Sequence, residues 1–104
     1  MNLVSDKSRA IVEKHFPTES AVVIDRLQGY CEYLSEFFSE KKQPETYERF
    51  CLAILKIAKT SNEKLDKAIE LGKTDYRDLL VSAGFGNSIT IHNDWASKIL
   101  NEKT

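Results

Sequence analysis

Cysteine is scarce in this chain of 104 residues: only Cys31 and Cys51 occur. Two thiols so far apart in sequence exclude a disulfide framework and a cysteine-based zinc site, which needs closely spaced pairs, and reduced thiols are expected. Long apolar runs are missing as well. The longest unbroken one, Cys51 to Leu55, falls far below the roughly 20 residues that span a bilayer. The opening MNLVSDKSRA lacks the apolar region of a secretory signal, so a cytoplasmic protein with no membrane partner is expected. Charge of one sign is not in excess either. Fifteen Lys and Arg stand against 16 Asp and Glu, net −1, so no overall field draws the molecule onto nucleic acid or anionic lipid, and nucleic acid is disfavoured as a partner. Gly (four) and Pro (two) are few, and no repeat or low-complexity stretch occurs.

What is present is an ordinary globular balance, 41% hydrophobic and 30% charged, enough apolar surface for one core in a single domain over 1–104. Ser5 is placed to cap a first helix running to His15, with Ala10, Ile11 and Val12 on its apolar side, and Pro17 forces Phe16 out of the helix. Thr18 is placed to cap a second. There Val23, Leu27, Tyr30, Cys31, Leu34, Phe37 and Phe38 recur at helical spacing over about 19–41. Pro44 suits the first turn of a third helix, 44–59, with a broad apolar face on Tyr47, Phe50, Cys51, Ile54, Leu55, Ile57 and Ala58. These two form an expected central antiparallel hairpin, which sets Cys31 and Cys51 near one another as buried thiols.

Thr60-Ser61-Asn62-Glu63 reads as a capping box for a fourth helix carrying Leu65, Ala68 and Ile69 and stopping near Gly72. Thr74 or Asp75 caps a fifth, with Tyr76, Leu79, Leu80 and Ala83 inward. Gly84 then ends it in a left-handed conformation, with Phe85 folding back on Leu80. A sixth helix over about 88–100, capped by Asn87 or Ser88, would use Ile91, Trp95 and Ile99 at helical spacing. The fold class is all-α, a compact bundle of five to six helices.

The stretch VSAGFGNSITIHNDWASKIL, 81–100, looks at first like a site, because it gathers glycines, hydroxyls, His92 and Asp94. A phosphate-binding turn normally follows a strand and carries a Lys, whereas a helix precedes this one and no Lys follows Gly86. His92, Asn93 and Asp94 are consecutive, so on a helix they point three ways and make no ligand cluster by themselves. No serine-nucleophile motif, Cys-His signature or HExxH occurs, so no catalytic, metal or cofactor-binding residue is assigned and no cofactor is expected. The residues here that a small anion or nucleotide at the 84–92 turn would touch are Arg77, Ser88, His92 and Trp95.

Asp25, Glu32, Glu36 and Glu40 stand at steps of seven and four, which keeps them on one side of the second helix, with Gly29 among them. Such a stripe is either a solvated face or the contact surface for a partner. Gly inside a helix costs about 1 kcal/mol relative to Ala, so another backbone approaches Gly29 or the residue is simply tolerated. Helices four and five invite comparison with a DNA-reading helix-turn-helix, but the reading helix would start Asp75-Tyr76-Arg77-Asp78, net negative toward phosphate. Lys56, Lys59, Lys64, Lys67 and Lys73 are the residues through which nucleic acid would bind, if it did.

Asp75-Tyr76-Arg77-Asp78-Leu79-Leu80-Val81-Ser82-Ala83-Gly84-Phe85, with Trp95 about ten residues on, resembles the C-terminal part of small uncharacterised bacterial helical proteins with endings of the type DWRDLLVAAGF. The resemblance covers about a quarter of the chain; it implies a bacterial cytoplasmic setting and supplies no activity. The functional expectation is a non-enzymatic helical domain for protein binding or self-association, through the acidic side of the second helix or apolar surface on the sixth.

Overall fold

A computed structural model describes residues 3–37, 44–86, 88 and 90–101. Six helices follow one another: α1 Asp6–His15, α2 Ser20–Phe37, α3 Pro44–Ala58, α4 Asn62–Thr74, α5 Tyr76–Ser82 and α6 Ile91–Asn101, and there is no strand among the described residues. The all-α bundle expected from the apolar spacing is therefore the observed architecture.

The centre of the bundle is α3. Cys51, Leu52, Ala53, Ile54 and Leu55 are all fully buried, a run longer than one turn, so this part of the helix is covered on every side. All five other helices pack against α3, whereas α2 borders α1, α3 and α4 and leaves one face open. The expected pairing of α2 with α3 is present where the Cys31 and Cys51 sulfurs lie 3.4 Å apart, but only α3 occupies the middle. The broad apolar face expected for α3 suggested contact with several neighbours, and Leu52 and Ala53, outside that face, are buried as well because the covering extends all round.

The helix ends show which local signals prevailed. Ser5 caps α1 by accepting from the Ser8 N–H, and the chain leaves at Phe16 as Pro17 requires. At α2 the carbonyl of Glu19, not Thr18, takes the first helical bond, from the Val23 N–H. The α4 cap is Ser61 rather than Thr60: its hydroxyl accepts from the Lys64 N–H at 3.2 Å. That register removes the reciprocal Glu63 bond of a capping box, and Glu63 instead pairs with Lys67 one turn on.

Nor does α4 stop at Gly72. It runs through to Thr74, with Gly72 buried in its interior. A Cβ on Gly72 would overlap the Tyr30 hydroxyl and lie 2.7 Å from the Tyr30 Cζ and 3.0 Å from a Leu79 methyl. The glycine is thus a seat for Tyr30 of α2. Asp75 ends α4 and caps α5, accepting from the N–H groups of Arg77 and Asp78.

Candidate functional site

The joint between α5 and α6 is built as a helix ending. Gly84 has φ +82, its N–H donates to the Val81 carbonyl, and the Phe85 N–H donates to the Leu80 carbonyl, both at 2.9 Å. These are the two bonds of a Schellman motif, and Phe85 is buried as that motif's apolar contact requires. Two cations of α3 then hold the loop from the side. The Arg49 guanidinium donates to the Gly86 carbonyl, and Lys56 Nζ donates to the Ala83 carbonyl at 2.7 Å while lying 5.2 Å over the Phe85 ring. Arg49 and Lys56 stand seven apart on α3, so they share one face. That spacing was available in the sequence as the signal for this clamp.

Beyond the loop, the Ser88 hydroxyl accepts from the N–H groups of Thr90 and Ile91 and starts α6; Asn87 lies outside the described residues. The buried face of α6 carries His92 and Ala96, with Trp95 and Ile99 half-buried, while Ile91 is exposed. Of the expected Ile91, Trp95 and Ile99, the last two pack on the core beside the buried His92 and Ala96, and only Ile91 turns outward. The helix docks on α1 and α3, secured by Lys7 on the Asn93 side chain (2.9 Å) and Lys14 on the Ile99 carbonyl (2.8 Å).

His92 lies in the core against Phe85, ring centroids 6.0 Å apart, and Trp95 packs on the same phenyl ring at 6.3 Å. Burial pushes the His92 imidazole below its ordinary value, and the nearby Arg49 and Lys7 add to this against the opposite pull of Glu48 and Asp94. Its Nδ1 has no hydrogen-bond partner among the described residues. Arg77 stands elsewhere. It is exposed, lies over the Tyr76 ring, and lines a cleft of about 290 Å³ with Tyr33, Gly72 and Lys73. The four residues proposed to touch a ligand at the turn are therefore divided: Ser88 caps, His92 and Trp95 pack on Phe85, and Arg77 belongs to another cleft.

On α2, Asp25, Gly29, Glu32 and Glu36 are all exposed, and Glu40 lies outside the described residues. Among the described residues nothing stands within 4 Å of where a Gly29 Cβ would be, so none of the six helices approaches its backbone there. Val22, 61% exposed, and Tyr33 fall within about 40° of Gly29 around the helix, forming an apolar strip beside the acidic one. Along the edge of this face runs a groove of about 650 Å³ against α1, lined by Ala21, Ile24, Asp25 and Glu32 among others. On α6, by contrast, the exposed Ile91 and Leu100 are about half a turn out of phase and make no continuous patch.

The thiols of Cys31 and Cys51 are free and fully buried. The Cys31 hydrogen bond, followed by burial, pushes the Cys51 thiol up, which keeps it protonated. Burial, with these thiols beside it, likewise raises Tyr30. Among the described residues no group of three His, Cys, Asp or Glu side chains is placed to hold a metal ion, and no helix is long and apolar enough to cross a membrane.

Lys56, Lys59, Lys64 and Lys67 line one cleft, of about 690 Å³, between α3, α4 and the end of α5. Lys73 is not among them; it lies over the Tyr33 ring and lines the smaller cleft with Arg77. Lys59 has φ +54, a left-handed conformation that costs a residue with a Cβ roughly 1 kcal/mol and favours glycine. No protein-family model matches this chain, and comparison with curated proteins and with solved structures gives no match.

Proposed function

We propose that this chain is a non-enzymatic helical protein of the bacterial cytoplasm that acts by binding another protein through the outward face of α2. The observation that carries this reading is Gly29. It sits in a helix interior with open space above it, where Ala would add about 1 kcal/mol of helix stability. No contact among the described residues accounts for its use. A glycine at the centre of an exposed face lets a partner's backbone come close, and Val22 supplies apolar contact on one side of it along the helix, with the exposed edge of Tyr33, whose hydroxyl donates to the Lys73 carbonyl, on the other.

The charge on this face selects the kind of partner. A symmetric dimer through α2 would bring Asp25, Glu32 and Glu36 of two copies toward one another, and like charges at an interface oppose association. A helix carrying Lys or Arg beside small apolar residues complements the surface. The bacterial cytoplasmic setting is the one that the resemblance of residues 75–85 implies.

The test places a photo-crosslinking aromatic residue at position 22 on α2 and, as a control, at position 81 on α5, two sites of similar exposure. A single protein with a Lys- or Arg-rich crosslinked helix should be captured from position 22 and not from 81. Capture should disappear in the Glu32→Lys/Glu36→Lys variant. Equal capture from both positions, or capture that survives the charge reversal, would overturn the reading; so would a dimer in light scattering that persists in that variant.

A further inference from the structure

We infer that the cleft between α3, α4 and the end of α5 is a binding site for a compact, multiply charged phosphate anion, a linear polyphosphate or the triphosphate of a nucleotide. Three observations carry this. The molecule as a whole is net negative by one charge, yet this cleft is lined by four lysines, of which Lys67 alone is paired with a carboxylate, that of Glu63, among the described residues. Such segregation focuses positive potential in a concave space. Its volume, about 690 Å³, suits a small ligand, since ligand clefts run from roughly 300 to 1,000 Å³.

The lysines are also placed in distinct ways. Lys56 is fixed at the wall by the Ala83 carbonyl and the Phe85 ring. Lys64 comes from the first turns of α4, and neither it nor Lys59 has an ion-pair partner among the described residues. Lys59 is the independent sign. It holds the left-handed position that closes α3, its N–H donating to the Leu55 carbonyl, where glycine would be the more stable residue. Backbone strain kept at the mouth of a cleft points to a side chain retained for what it contacts. An ammonium group there, facing others from the next helix, suits consecutive phosphates better than a single carboxylate, which one lysine would satisfy.

Calorimetric titration of the full chain with inorganic tripolyphosphate at low salt tests the site. The variants are Lys59→Gly, Lys64→Gln and, away from the cleft on α6, Lys98→Gln. Binding is expected to weaken about fivefold or more in each of the first two, the effect of removing one charge a few ångströms from an anion, and to be unchanged in Lys98→Gln. Lys59→Gly should unfold at a higher temperature than the parent while binding less, a combination that loss of folding cannot produce. Parallel titration with ATP assigns the source: tighter binding of ATP identifies a nucleotide, tighter binding of tripolyphosphate an inorganic chain. Absence of binding, equal affinity in all variants, or binding of single-stranded RNA without tripolyphosphate would overturn the proposal.

Discussion

Gly29 and Gly72 occupy the same kind of position, a helix interior, and meet opposite surroundings. A Cβ at Gly72 would overlap Tyr30 of the neighbouring helix, whereas one at Gly29 would touch nothing among the described residues. Each gives up about 1 kcal/mol of helix propensity relative to Ala. At Gly72 the loss is offset within the molecule, because the missing side chain lets Tyr30, only 1% exposed, lie between α2 and α4. At Gly29 no such return exists among the described residues. The difference separates a glycine whose place in the core is accounted for from one on an open face, and it divides α2 into an inner face that builds the core and the outer face proposed to bind a partner.

The largest effect that would break this comparison is expected at Gly72→Ala, which overpacks the α2–α4 contact and should destabilise by about 2–3 kcal/mol in urea unfolding. Tyr30→Phe should recover part of that loss in a double-mutant cycle, since the hydroxyl is one of the overlapping atoms. A Gly72→Ala protein as stable as the parent would contradict the packing at this seat.

A smaller, pH-dependent effect is expected at His92, also on the packed side. Its folded-state value lies below the ordinary 6.5, so below that pH the unfolded chain takes up a proton that the folded one resists. The contribution is complete above pH 6.5 and is lost as the pH falls through the lower folded value. Thermal melts of the parent should therefore fall more steeply on the acid side of pH 6.5 than those of His92→Gln. Parallel pH profiles would show that the imidazole is as hydrated as an exposed one.

Gly29→Ala should move the other way, stabilising by about 0.5–1 kcal/mol, because the helix gains propensity and the new methyl meets no obstacle. The smallest expected change lies beside it. Glu36→Gln, on the exposed acidic strip, should stay within about 0.5 kcal/mol of the parent in the same urea measurement, since no ion pair of Glu36 is made among the described residues.

Much of this architecture was readable from residue spacing. The inward residues of α2, of α4 and of α5 follow the helical period, and Ser5, Asp75 and Gly84 stop or start helices as their side chains and φ preferences dictate. The misplacements have physical causes. A sequence shows Thr60 and Ser61 as equivalent hydroxyls, and the choice of Ser61 follows from the left-handed turn at Lys59 just before it. Gly72 resembled a helix stop because nothing local announces that Tyr30, 42 positions earlier, fills its side-chain space. For the candidate sites, the acidic strip was visible as a pattern on one helix. The four lysines of the cleft were grouped in the sequence with Lys73, which lines another cleft, because α3 and α4 must pack together before the four become one surface.

The most direct test of α2's outer face as a protein-binding surface combines two readings on Gly29→Leu: unfolding stability and crosslinking yield from position 22. Leucine favours helix and projects into open space, so stability should equal or exceed that of the parent while the crosslinked partner is lost. A stable Gly29→Leu protein that captures its partner as well as the parent does would contradict the proposed interface.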